Sequence, residues 1–408
     1  MATFHFRRLL FIVLSGCLVT TLADELEFEG VKIGGALRTS YIRGDYAKDS
    51  GGAPQRGGNG GNFELDTFRL NIELDHESLI GAGEYRFYDG YHFLHTGWLG
   101  HKWENDSRIE LGLVRTPFGV GPYGPANSWF FDQHYYVGLA DKMRLGANYS
   151  RKAGRWELAG GYYFRDMWDG KGSSEDSARY SFAVVREDVG GIPGSYRQTH
   201  QLNLRANYKA EELLTTFGAS AQWAMLDARD ERARNAASYA LSIHSHTQWG
   251  PLGVKLQLSG YEYNVRYRTD SSGVQPSRDL IVLGAYDFAW PTAKRGLIPS
   301  AAVSYTIKQP LSWIDSATFY NDFSIILKDG KLDDESFHNS ALNITGVSLE
   351  IGGWFIYIDH AISNGNLFVG DRYDVYGDSY SESRVSDAGA NRNNRWNSRF
   401  NVNLGYYF

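Results

Sequence analysis

NVNLGYYF, residues Asn401–Phe408, ends the chain as a strand that keeps its alternation to the last position. Phe408, Tyr406, Leu404 and Val402 share one side, and Phe400 extends that side one step upstream. Asn403, Asn401 and Arg399 share the other. A period of two is the mark of a strand with one apolar face. A chain terminus is ordinarily frayed and polar, so a complete strand here implies that it has a partner to pair with.

The same period runs through the chain. In Thr67–Asp75, Phe68, Leu70, Ile72 and Leu74 oppose Arg69, Asn71, Glu73 and Asp75. In KIGGALRTSY, Ile33, Leu37 and Tyr41 oppose Lys32, Arg38 and Ser40. Trp156, Leu158, Tyr162 and Phe164 oppose Glu157, Tyr163 and Arg165, while Leu202, Leu204, Ala206 and Tyr208 oppose Gln201, Asn203, Arg205 and Asn207. At Ser259-Gly260 the phase slips, from Val254/Leu256/Leu258 to Tyr261/Tyr263/Val265, and the glycine predicts a bulge.

Connections come in two sizes. Asp75–Ser78, Asn105–Ser107, Ala153-Gly154, Gly250-Pro251 and Gly352-Gly353 are short, whereas 43–62, 116–142, 167–177, 328–339 and 363–394 are long and polar. Strands joined by alternately short and long connections predict an all-β fold: a transmembrane antiparallel barrel with short periplasmic turns and long outer loops. The expected strand number is even, 16 or 18, with about 18 strand-like segments legible and the alternation out of phase between 178 and 315. Tyr and Trp near strand ends would form the interfacial girdles, which accounts for 27 Tyr and 15% aromatics. A soluble sandwich also alternates, but it explains neither the aromatic strand ends nor the export signal described next.

Residues 1–23 have the form of a cleaved signal peptide, with Arg7 and Arg8 ahead of an apolar run and Thr21-Leu22-Ala23 as the cleavage site. Leu14-Ser15-Gly16-Cys17 is a rival lipoprotein-type box, read here as secondary to cleavage after Ala23. The mature domain is then 24–408, and its expected place is the outer membrane of a Gram-negative bacterium. Cys17 is the single cysteine, which excludes a disulfide framework and a Cys-based zinc site.

Four segments resemble a family: IELGLVRTPFGVGPYGPANSWFF (109–131), TFYNDFSIILKDG (318–330), SALNITGVSLEIGGWFIYIDHA (340–361) and RWNSRFNVNLGYYF (395–408). They resemble the phosphate-selective porin O and P family and related proteobacterial porins, the first through its Gly-x-x-x-x-Pro-Phe-Gly stretch at Gly112–Gly119. The resemblance implies a homotrimeric outer-membrane channel whose third long loop folds inward, with membrane lipid, lipopolysaccharide and small hydrophilic solutes or anions as partners.

The loop 116–142 is the leading functional candidate, because a segment folded into a lumen sets diameter and charge. Its expected constriction residues are Arg115, Asp132, His134, Asp141, Lys142 and Arg144. With the apolar strand faces in lipid, the lumen receives Lys32, Arg38, Arg69, Arg86, Arg144, Arg155, Arg165, Arg205, Lys255, Arg266, Arg268, Lys308 and Arg399. Against these stand Glu73, Asp75, Glu84, Glu157, Glu262 and Asp322. A basic wall in a chain of net charge −6 predicts mild anion preference and acidic loops. The bland reading of the arginines is cross-strand pairing that holds the wall.

Gly119-x-Gly121-x-x-Gly124 matches a dinucleotide fingerprint, but Pro122 and Pro125 interrupt the helix that such a site requires. His244 and His246 share a strand face and read as polar lining before they read as a metal site. No nucleophile elbow, cofactor motif or nucleic-acid pattern is present, so no enzymatic activity and no cofactor are expected. The expected function is passive diffusion of small hydrophilic solutes and ions. The alternatives are a channel specific for phosphate or a small carboxylate, and a barrel enzyme or adhesin using the outer loops.

Overall fold

A computed structural model describes residues 26–28, 30–45, 62–189, 191–269, 277–332, 335–366, 368–369 and 396–408. The expected signal segment 1–23, including Cys17, lies outside the described residues, as do most of 43–62 and 363–394.

Sixteen antiparallel strands form one closed wall. The first eight are β1 (Val31–Gly44), β2 (Asn62–His76), β3 (Leu79–Phe87), β4 (His92–Lys102), β5 (Ser107–Arg115), β6 (Met143–Ala153), β7 (Trp156–Asp166) and β8 (Tyr196–Ala210). The others are β9 (Thr215–Ala228), β10 (Ala236–Trp249), β11 (Leu252–Tyr263), β12 (Arg295–Leu311), β13 (Ile314–Asp329), β14 (Ser340–Ile351), β15 (Trp354–Asn364) and β16 (Asn397–Tyr407). Each strand pairs with its neighbour in sequence, and β16 pairs with β1 from Tyr407↔Ala36 to Arg399↔Gly44. Phe408 completes the seam, exchanging backbone hydrogen bonds with Gly35 at 2.8 and 3.1 Å. Closure of this kind leaves no strand edge in hydrocarbon. No described helix is long and apolar enough to cross a membrane; the strands do the crossing.

One end of the barrel carries tight turns, where Gly154, Gly250 and Gly352 supply the left-handed φ that a two-residue hairpin needs. The other end carries the long connections, which among the described residues include 116–142, 167–189, 191–195, 264–269 and 277–294. The outer face is apolar: Leu204, Leu241 and Ile243 are each more than 60% exposed. Trp103, Trp156, Trp249, Trp313 and Trp354 are exposed near the short turns, and Phe63, Phe87, Phe164, Trp223 and Tyr239 near the other end. These are the aromatic belts expected at the two interfaces.

Three expectations need correction. The apparent strands beyond sixteen are a hairpin, Leu280–Ala285 with Phe288–Ala293, that pairs with Ala183–Val184 and lies outside the wall sequence. Its strand-like residues put the alternation out of phase between 178 and 315. No bulge occurs at Gly260, where pairing with β10 and β12 is continuous. Instead Tyr261 and Tyr263 point inward, into an apolar cluster with Phe118, Val137 and Leu139 of the 116–142 loop and Leu280–Leu283 of the hairpin. Apolar residues near this end therefore face loops rather than lipid. Finally, bulges shift the register at several places, and one of them changes a lumenal assignment. Phe164 is an extra residue between Tyr163↔Gly146 and Arg165↔Leu145, so Asp166, not Arg165, meets the inward Arg144. Arg165 shares its ladder position with Leu145 and Thr199 and leaves the lumenal set.

Candidate functional site

The 116–142 loop leaves β5, crosses the lumen and returns to β6, and wall side chains receive it on the far side. Gly119 N donates to Ser220 Oγ (3.1 Å) and Val120 N to Gln257 Oε1 (2.9 Å). Asp322 on β13 accepts from Asn127 N (2.8 Å), Asn127 Nδ2 (2.9 Å) and Ser128 N (2.7 Å). Lys255 Nζ donates to Asn127 Oδ1 at 2.9 Å. Gln133 N reaches Ser324 Oγ at 3.0 Å, opening the single helical turn Gln133–Tyr136 that Asp132 caps. A loop whose backbone would otherwise be orphaned inside a barrel is thus satisfied by inward polar side chains.

The loop's charged residues serve this attachment. Asp132, His134, Asp141, Lys142 and Arg144 are each at most 3% exposed. Asp132 Oδ2 holds His134 Nδ1 at 2.7 Å, and His134 Nε2 meets Ser259 Oγ on β11 at 2.8 Å. Acid, imidazole and hydroxyl stand in relay order, but Ser259 is wholly enclosed and donates onward to Ser242 Oγ at 2.8 Å. The relay joins loop to wall. Arg144 pairs with Asp166 and reaches Gln198, and Lys142 Nζ donates to Gln198 Oε1 at 2.9 Å.

Opposite the loop's remaining face lies a cavity of about 1080 Å³. Its wall side carries Arg38 (β1), Arg69 (β2), Arg86 (β3) and Arg399 (β16), with Arg115 at the end of β5 close by. Each guanidinium has an aromatic ring over or under it: Arg38 with Trp129 at 3.9 Å, Arg399 with Phe130 at 4.3 Å and Arg86 with Tyr180 at 4.4 Å. Arg69 meets Tyr407 at 5.0 Å and Arg115 meets Tyr123 at 5.5 Å. These are cation–π distances. Carboxylates stand among them, and Asp359 on β15 lies within electrostatic reach of Arg399. Arg38 pairs with Asp66 at 2.7 Å and Arg115 with Asp141 at 2.6 Å, while Glu84 serves both Arg86 (2.5 Å) and Arg69 (3.4 Å). Glu64, Asp89 and Asp287 line the same cavity toward the long-loop end.

The structure thus brings Arg38, Arg69, Arg86, Arg115 and Arg399 together. Glu73 and Lys32 pair across β2 and β1 near the short-turn end, away from this cluster. Arg205 meets Glu157 at 3.0 Å, and Lys255 is taken by the loop. Arg155 binds Glu212 in exposed turns (2.9 Å), Arg266 and Arg268 lie beyond the end of β11, and Glu262 sits opposite Arg295 rather than beside Tyr261. His244 Nε2 donates to Asn207 Oδ1 at 2.9 Å.

Two features escaped the sequence. Asp66 is the extra residue of a bulge between Arg38↔Thr67 and Thr39↔Leu65, which strict alternation cannot anticipate. The aromatic side of the cavity gathers Tyr123, Trp129 and Phe131 of one loop with Tyr180, Tyr286 and Phe368 of others. Only their abundance in the loops signalled them.

No protein-family model and no curated protein sequence matches the chain. Solved structures do match along nearly all of it. In-vitro folded OmpT of Vibrio cholerae, in trimer form, is similar with a TM-score of 0.56 and 14% identity, over 93% of this chain and 99% of that one. The outer membrane channel DcaP of Acinetobacter baumannii has a TM-score of 0.54 and 10% identity, over 95% and 100%. The anion-selective porin from Comamonas acidovorans has a TM-score of 0.51 and 11% identity, over 93% and 99%. At such identities the likeness concerns architecture, and the architecture is that of the outer-membrane porins.

Proposed function

We propose that the chain is a porin: a narrow, non-enzymatic passage through the outer membrane for small hydrophilic solutes and ions, with a mild preference for anions. The observation that carries this reading is the row of five arginines on β1, β2, β3, β5 and β16 facing the inward loop, with Glu84 shared between two of them. Guanidinium groups at the narrow level lower the barrier for anions and raise it for cations. Glu64, Asp89 and Asp287, nearer the long-loop end, make the mouth more acidic than the waist. Selectivity is set at the waist because screening acts least where the walls are closest.

A second reading, a channel specific for phosphate or a small carboxylate, is favoured by the filling of the long-loop end. Described residues of 116–142, 167–189, 191–195, 264–269 and 277–294 pack there into apolar clusters that leave less room than an open vestibule. The Asp132–His134–Ser259 relay supports fastening rather than hydrolysis, since its serine is enclosed. By analogy with the trimer form of OmpT, the assembly is read as a homotrimer in contact with lipid and lipopolysaccharide. The first 23 residues are read as its export signal, cleaved after Ala23.

Reversal potential under a salt gradient tests the reading. Pure protein in a planar bilayer should conduct, with the potential displaced toward the anion value. Arg69→Gln or Arg86→Gln, which leaves Glu84 less compensated, should each cut the anion-to-cation ratio by about twofold or more. Absence of conductance would sink the porin reading; cation preference in the unaltered protein would sink the anion reading.

A further inference from the structure

The ring-lined side of the cavity needs an explanation that a general anion passage does not require. Loop aromatics that merely pack are enclosed, as Tyr135 and Phe182 are at 1% exposure. Tyr123 is not: it is 47% exposed on the cavity wall, touching Phe131 at a ring separation of 5.8 Å. Phe131 stacks on Tyr135 at 4.2 Å, so Tyr123 is the open edge of a continuous aromatic surface. A ring half open to an aqueous channel gains less from burial than an enclosed one.

The arginines complete the pattern. A guanidinium with one flat face on a ring still presents its N–H groups in plane. The Arg115–Tyr123 pair, at 5.5 Å, sets guanidinium and π-surface side by side: Asp141 takes Nε at 2.6 Å, and the Arg115 side chain is 35% exposed. Arg69, at 20% exposure, stands on the same wall. A phosphate or an aliphatic carboxylate uses only the charge. A carboxylate on a planar ring uses both, because its ring can stack on or meet the edge of Tyr123 while its oxygens reach the guanidinium.

We propose that the solute favoured by this passage is a small carboxylate carried on a planar unsaturated ring. The proposal rests on the anion-preferring reading above and names the class of anion. The matched probes are benzoate and cyclohexanecarboxylate, which have the same charge and nearly the same size but differ in the π-system. In planar bilayers with their sodium salts, benzoate should be about threefold to tenfold more permeant relative to chloride, or block chloride current that much more strongly. Tyr123→Leu should bring the two probes to parity, and Tyr123→Phe should keep the difference.

The outcomes separate the two levels of inference. Parity of the probes in the unaltered protein, with anions still preferred over sodium, overturns the ring proposal and leaves the anion reading standing. A preference for cyclohexanecarboxylate overturns it as well, by assigning the rings a purely hydrophobic part. Sodium preference overturns both readings. A benzoate advantage that survives Tyr123→Leu removes Tyr123 from the site and overturns the proposal.

Discussion

At Lys142 a loop charge expected to colour the passage is fully enclosed instead, with Nζ on Gln198 Oε1 at 2.9 Å. Burial pushes its amine down to about 7, against the opposing pull of Asp166. The direction fixes a pH dependence. Between the folded value near 7 and the ordinary 10.5, the unfolded chain binds a proton that the folded one does not. Stability therefore rises with pH across that window, and below it the whole cost of a buried ammonium is present. Thermal transitions of the unaltered protein should climb from pH 7 to pH 10. Lys142→Met should start higher at pH 7 and climb less, and parallel curves for the two proteins would refute the assignment. The same burial explains why residue type alone misjudged this loop: Asp132, His134, Asp141 and Lys142 are charged, but their charge is spent on attachment.

At the level of the element, the 116–142 loop depends on a few acceptors, and Asp322 is the most loaded. Three loop donors converge on it within 2.9 Å. Asp322→Ala would strip all three, and hydrogen bonds to a charged acceptor are worth about 1.5–3 kcal/mol each. The loop should detach locally while the wall persists. The expected result is a larger and noisier single-channel conductance together with new proteolytic cleavage inside 116–142, and unchanged conductance with a resistant loop would contradict it. The loop's inward course could be foreseen from its length and position after β5. The strand faces were equally legible wherever lipid lies outside and water or polar side chains inside, as at Arg38, Arg69, Arg86 and Arg399. Legibility failed where that contrast disappears. Tyr261 and Tyr263 are apolar yet inward because loops cover them, and Phe164 and Asp66 are bulge residues whose extra step has no sequence signature. The arginine cluster was therefore readable, but its aromatic counterpart, assembled from several loops, required the fold.

For the whole molecule, the closing strand sets the frame in which every face is assigned. Asn401 and Asn403 are buried inside, at 0% and 1% exposure, while Phe400 and Phe408 lie outside at 39%. Asn403 Nδ2 reaches Ser40 Oγ at 2.8 Å across the seam, so the last strand and the first share one inner surface. Carried around the wall, this register places Leu204, Leu241 and Ile243 on the outer surface at 66%, 66% and 62% exposure. In water such exposure would be a liability; in hydrocarbon it is the stable arrangement. A charge there must be lifted out of lipid. Leu241 stands mid-strand, opposite Ala221 on β9 and Gly260 on β11, with small neighbours that give an arginine no shelter. Leu241→Arg should therefore cost about 2–4 kcal/mol, read as a lowered urea midpoint for folding into phospholipid vesicles. Leu241→Ala, which loses apolar area without adding charge, should shift that midpoint less. Equal midpoints for the arginine variant and the unaltered chain would mean that this face does not meet hydrocarbon, and the lumenal assignment of the arginine wall would fall with it.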